Sequence, residues 1–220
     1  RFYTIACARL KIEMETTFRT QLVHAARDLF LSKGYESVGM REIAQAVGKA
    51  PTQVYRLGLS KTDILAEIII ELNQEQIDRL PRLVMTLTGA NAFERTCAYL
   101  LRLYEADIEY MPIRAIGAAQ GWTWSTAYEE AVTAQVWELL APIVGWLADD
   151  HVGDIPARCM AIWSLYYVGY RRAVLHGGSA ADCLADIRPS LAVLIPLPPL
   201  PSVLSHSPAA AALLTSICSE

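Results

Sequence analysis

The sequence predicts an all-α chain, with an N-terminal three-helix head of the helix-turn-helix type and a larger helical body behind it. Three observations predict this. Apolar residues recur at helical spacing along most of the 220 residues, with no sustained alternating β-branched run and no Asn-Gly or Asp-Gly hairpin turn. Hydrophobic residues make up 53% of the chain, enough for a sizeable core. The charge is divided: residues 1–63 hold ten Lys and Arg against six Asp and Glu, a net +4, whereas residues 64–220 hold nine against seventeen, a net −8. All four lysines (Lys11, Lys33, Lys49 and Lys61) lie in the first part. A basic module on an acidic body fits phosphate contact at one end only.

Residues 1–13 match no pattern and precede Met14, so they are expected to be a non-native or disordered extension. Arg9 and Lys11 are too few to mark a basic minor-groove arm. The head is expected over residues 14–65. Its first helix spans Thr20 to Gly34, with Leu22, Val23, Ala26, Leu29 and Phe30 on one face and Gly34 as the stop. Gly39 can open a second helix striped by Ile43, Ala44 and Val47, and Gly48 supplies the turn. Pro51 suits the first position of a third helix that carries Val54 and Tyr55. In such a helix-turn-helix the later helix enters the major groove with its N-terminal residues toward base edges. Ser60-Lys61-Thr62-Asp63 then caps a long helix with Ile64, Leu65, Ile68, Ile69 and Leu72 on its apolar face.

Taken together, Ala25-Ala26-Arg27-Asp28-Leu29-Phe30, Lys33-Gly34-Tyr35, Arg41-Glu42-Ile43-Ala44, Gly48, Val54-Tyr55-Arg56, Ser60-Lys61 and Ile64-Leu65 resemble the TetR (tetracycline-repressor-like) family of bacterial transcriptional regulators. The resemblance covers about Thr17 to Leu72. It implies DNA contact by Gly39, Arg41, Pro51, Thr52, Gln53, Tyr55, Arg56 and Lys61. By residue type, Tyr55, Arg56 and Lys61 suit phosphates, Gln53 suits bidentate pairing with adenine, and Thr52 suits a thymine methyl or a base edge. The chain departs from the family at Gly39, Lys49-Ala50, Thr52-Gln53 and Leu57-Gly58, so no operator sequence transfers with the resemblance. At Ala50 an N-cap side chain is missing, worth about 1 kcal/mol. At Gly58 a Phe is missing, and Leu57 or Leu59 is expected to fill its place.

The linking helix is expected to reach about Leu80, with Pro81 as a boundary or kink. The body, residues 66–195, continues with an Asn91-anchored helix to about Tyr110, ended by Met111-Pro112. A loop or bent helix follows through Trp122 and Trp124, then a helix from Ser125 to Pro142 that Ile143–Leu147 can prolong. Asp149-Asp150-His151-Val152-Gly153-Asp154 reads as a polar loop. The last two helices, about 157–175 and 180–195, sit where the family places its dimer-forming bundle, and Pro189 predicts a kink in the second. Ala161, Gly169 and Ala173 offer close approach there, and Leu165, Val168, Leu184 and Leu191 offer burial, in a dimer or in the core. Residues 196–220, rich in Pro, Ser and Ala, read as a poorly ordered tail.

The body's aromatic residues suit an amphipathic or aromatic effector. The expected pocket lining is Tyr104, Trp122, Trp124, Trp137, Trp163 and Tyr167, although any one of them taken singly suits the core better than a ligand wall. An enzyme would have to use Asp149, Asp150, His151 and Asp154 as a metal cluster, or His176 with Asp182 as an acid–base pair. That spacing matches no ligand frame, and the chain has no phosphate loop, nucleophile elbow or H-E-x-x-H, so no catalytic residue, metal or cofactor is expected. Five cysteines (Cys7, Cys97, Cys159, Cys183 and Cys218) without a C-x-x-C pair read as reduced thiols of a cytoplasmic protein. No signal peptide stands out. Glu67 and Glu71 break one apolar span and the prolines after Ile195 another, so no membrane segment is expected. The expectation is a homodimeric regulator, a repressor released from a pseudopalindromic double-stranded operator by a small molecule. The alternative is a helical ligand-binding or adaptor protein whose head has lost specific DNA readout.

Overall fold

The structure, a computed structural model, describes the backbone of residues 2–196 and the side chains of residues 16–196. The side chains of Arg9 and Lys11, and the expected tail beyond Pro196, lie outside the described residues. Among the described residues every regular element is helical: α1 (Phe2–Lys33), α2 (Met40–Ala46), α3 (Pro51–Tyr55), α4 (Lys61–Thr86), α5 (Ala92–Asp107), α6 (Met111–Gln120), α7 (Thr126–Asp149), α8 (Ile155–His176) and α9 (Ala180–Leu194), with a 3-10 turn at Gly121–Thr123. α1 begins at Phe2, so no element boundary falls at residue 13.

Local chemistry sets most of the boundaries. Ser60 and Asp63 form a reciprocal capping box at the start of α4, and Ser179 and Asp182 repeat it at α9. Asn91 Oδ1 accepts the Glu94 N–H at the start of α5. Ser125 occupies the N-cap position of α7, but its hydroxyl makes no capping bond. Of the prolines, Met111-Pro112 is expected as a stop, Pro81 as a boundary or kink, Pro142 as an end that Ile143–Leu147 can prolong, and Pro189 as a kink within its helix. Pro81, Pro142 and Pro189 lie inside α4, α7 and α9, and each helix continues past its proline. Met111-Pro112 opens α6 instead of closing α5, since proline is favoured in a first turn, where its missing N–H has no intrahelical partner to lose.

Two apolar cores result. The head core gathers Leu22, Val23, Ala26 and Phe30 of α1, Ile43 and Ala44 of α2, Val54 of α3 and Ile64 to Leu72 of α4, together with Ile113 of α6. Leu59 is buried and Leu57 packs against the same core, while a Cβ at Gly58 would meet nothing within 4 Å. The body core is built from α5, α7, α8 and α9. α4 serves both cores: its N-terminal half is head core, while Ile77, Leu80, Leu83 and Val84 pack on the body. Contrary to the expected absence of an apolar span, α7 is long and apolar enough by length and composition to cross a membrane. In this fold its face from Val136 to Leu147 is buried.

Candidate functional site

At the head, α3 buries Val54 and turns Thr52, Gln53, Tyr55 and Arg56 to solvent, with Tyr55 58% exposed. Gly48, at φ +65, makes the turn that sets α3 against α2. Gly39 is the N-cap of α2, Arg41 is exposed beside it and Pro51 opens α3, so all eight expected DNA-contacting residues lie on or next to α2, α3 and the start of α4. Lys33 of α1 pairs with Glu42 of α2 and offsets an acid near this surface. The Lys61 ammonium lies 4.0 Å from the Tyr35 ring centroid, a cation–π contact that positions it at the start of α4. Gln53 differs from expectation in one respect. Its Oε1 accepts the Ala50 N–H at 3.1 Å, so the side chain itself caps the start of α3, and its amide donors and one lone pair of Oε1 remain for a base.

In the body, a cavity of about 520 Å³ opens between α4, α6, α7 and α8. Trp122, Trp124 and Tyr167 line it, as expected, and Trp122 is 95% exposed at its rim. The other three expected aromatics are elsewhere. Tyr104 is fully buried, stacked on Tyr166 at 4.5 Å, and donates its hydroxyl to the Tyr166 carbonyl. Trp163 stacks on the opposite side of the same ring system at 5.3 Å, and Trp137 lies on the exposed face of α7. Aromatic content alone does not distinguish a wall from a core.

Arg114 and Glu129 are the charged residues of the cavity lining, and the sequence alone did not point to Arg114. It and Asp107 are each 2% exposed, with Nε 2.7 Å from Oδ1. Asp107 Oδ2 accepts the hydroxyls of Tyr166 at 3.0 Å and Tyr170 at 3.3 Å, and Arg114 Nη1 donates to Asn73 Oδ1 at 2.7 Å. Burial pulls the guanidinium toward losing its proton, but Asp107 and the tyrosines outweigh this and hold its pKa above the usual value. The same burial drives both tyrosine hydroxyls well above their ordinary range, so they remain donors to Asp107. An arginine inside the apolar stretch Met111–Ala119, seven residues after an aspartate, was the available signal.

The comparisons can be set against this geometry. Residues 22–68 match the model of the bacterial regulatory proteins of the tetR family. That match spans α1 from Leu22 to the first turns of α4. Solved structures share the chain's fold at low identity. FadR from Bacillus subtilis, in complex with stearoyl-CoA, is 16% identical with a TM-score of 0.59, over 80% of this chain and 97% of that one. A tetR-family regulatory protein from Rhodococcus RHA1 is 18% identical with a TM-score of 0.59, over 80% and 96%. GusR from Salmonella enterica is 19% identical with a TM-score of 0.57, over 81% and 95%. No curated protein matches the sequence.

Two features join head to cavity. Ile69 of α4 is 3% exposed in the head core and also lines the cavity. Near it, Arg19 of α1 donates through Nε to Glu67 Oε2 of α4 at 2.8 Å, and Tyr128 of α7 donates its hydroxyl to Glu67 Oε1 at 2.7 Å. Tyr128 adjoins the cavity residue Glu129, so this clasp ties α1 and α4 to the cavity wall. Among the described residues no group of His, Cys, Asp and Glu is arranged to hold a metal. Asp150 accepts the Ala92 N–H at 2.6 Å and faces Arg95, so it ties α5 to the end of α7. Asp182 is occupied by its capping box with Ser179.

Proposed function

We propose that this tetR-family transcriptional regulator is a repressor that binds a pseudopalindromic operator as a homodimer and releases it when a small molecule occupies the α4–α6–α7–α8 cavity. The observation that carries the reading is Ile69: the helix that holds the head core together is also a wall of the cavity. A ligand that favours a different position of α4 weakens operator binding by its differential affinity for the two states and no more. The exposed readers on α3 support DNA as the partner, and two heads set about 34–36 Å apart meet successive major grooves. We place the functional division at the start of α4, with residues 14–65 as head and 66–195 as body.

For the dimer face, the exposed apolar residues Met160, Val168 and Leu175 of α8 and Val193 of α9 support pairing through these two helices. The residues offered by the sequence divide differently. Leu184 and Leu191 belong to the chain's own core, and Gly169 is buried so closely against Tyr104 that a Cβ would fall 2.0 Å from the hydroxyl. Val168, 52% exposed, remains on the proposed face.

Selection of bound DNA from a random pool by the full chain tests the reading. The expected result is enrichment of an inverted repeat. Arg56→Ala then lowers affinity across sequences and reduces the salt slope by about one, while Gln53→Ala relaxes preference at one base pair per half-site. A folded dimer that binds small molecules yet enriches no sequence favours the ligand-binding alternative.

A further inference from the structure

We propose that the cavity takes a neutral, largely apolar molecule bearing an acceptor oxygen, of the ketone, ester, lactone or amide kind, in preference to an organic anion or an amine. This rests on the cavity being the effector site. Three nitrogens of its lining residues are buried without a hydrogen-bond partner, Nε and Nη2 of Arg114 and Nε1 of Trp124; Nε lies 2.7 Å from Asp107 Oδ1 in the ion pair, which leaves Nη2 and Nε1 in need of an acceptor. Both can only donate. A buried donor without an acceptor is costly, so a ligand that brings an oxygen to these atoms gains more than the contact area alone supplies. An amine brings a further donor where an acceptor is missing.

Charge separates a carbonyl from a carboxylate. The Arg114 guanidinium would suit a carboxylate if it stood alone, but Asp107 already matches its charge at 2.7 Å, with both side chains 2% exposed. Tyr166, Tyr170 and Asn73 complete that pair without adding a net positive charge. Glu129 also lines the cavity. A ligand anion would therefore place a second negative charge near Asp107 and Glu129 at a low-dielectric site whose cation is already paired. A neutral oxygen takes the open Nη2 and Nε1 donors without that penalty.

The remaining walls set the frame of the ligand. Ile69, Gly117 and Val132 are apolar, and Gly117 keeps one wall thin because its Cβ would lie 2.8 Å from the Ile69 side chain. The indoles of Trp122 and Trp124 suit a flat or extended hydrocarbon. A volume of about 520 Å³ falls within the range of small-molecule sites.

Isothermal titration of the full chain with three near-isosteric probes tests this: methyl naphthyl ketone, isopropenylnaphthalene and naphthoate. The ketone is expected to bind about tenfold or more tightly than the alkene, and naphthoate more weakly than the ketone. Trp124→Phe keeps an aromatic wall, though a smaller one, and removes the indole N–H, so it should lower ketone affinity more than alkene affinity and narrow the gap between them. Equal binding of ketone and alkene, or tightest binding of naphthoate, overturns the inference and leaves the effector cavity standing. Failure of all three to bind a folded chain up to their solubility limits overturns the effector cavity and the inference together.

Discussion

The head presents its polar groups outward and the body encloses them. Thr52, Gln53, Tyr55 and Arg56 face solvent above a core of aliphatic and aromatic side chains. In the body an ion pair, two tyrosine hydroxyls and an amide are buried beside the cavity. The arrangement follows the work proposed for each part. A head that docks on DNA gains from a rigid apolar core beneath exposed readers, because phosphate and base contacts are made at the surface. A body that recognises a small molecule needs a few fixed polar groups inside a water-poor site, and those groups must be held by other buried groups. α4 belongs to both parts, so the body's polar interior and the head's apolar one meet along a single helix.

The contrast can be broken most severely in the body. Asp107→Ala strands the Arg114 charge and removes the acceptor of two tyrosines, and should cost about 3–5 kcal/mol of unfolding free energy. Urea unfolding followed by circular dichroism checks this, and a loss under 1 kcal/mol would mean that Arg114 finds other compensation. The matching lesion in the head is smaller. Ser60→Ala removes half of an exposed capping box and should cost about 1 kcal/mol in the same assay.

The smallest effect concerns Glu71 on the α4 face toward α1. Partial burial raises its pKa above the ordinary 4.5, although His24 and Arg27 draw it back down. A carboxyl with a raised pKa holds its proton more tightly in the folded chain, so its contribution to stability falls as pH rises from 4.5 through the folded value. Glu71→Gln should therefore gain stability at pH 7 relative to wild type and lose that advantage near pH 4. Paired thermal melts at the two pH values read the difference, and an advantage independent of pH would assign it to something other than ionisation.

What the sequence disclosed follows the range of the interactions. The head was legible because its signals are local: the apolar stripe of Leu22 to Phe30, the glycine turn at Gly48, Pro51 at a first turn and the Ser60–Asp63 box each lie within a few residues. Pro81 and Pro142 left open whether the helix stops or continues, and it continues because α4 and α7 pack on neighbours to either side, which overrides a local cost of about 3 kcal/mol. The cavity was half legible. Trp122, Trp124 and Tyr167 were visible as aromatics, but the wall is completed by Ile69, Arg114 and Val132 from α4, α6 and α7, and no spacing rule joins them. The clasp of Arg19, Glu67 and Tyr128 is hidden for the same reason, with its members on three helices far apart in the chain.

The coupling of cavity to head through α4 can be tested without any ligand. A Cβ at position 117 meets Cδ1 and Cγ1 of Ile69 at 2.8 Å, so Gly117→Val clashes with Ile69 and forces α6 and α4 to shift apart. Operator affinity of this variant, measured on the DNA enriched by wild type, should fall by at least about fivefold, in the range of allosteric coupling energies, while the isolated salt slope of binding stays the same. A folded Gly117→Val dimer that binds the operator as tightly as wild type would contradict the claim that the position of α4 against the cavity governs the head.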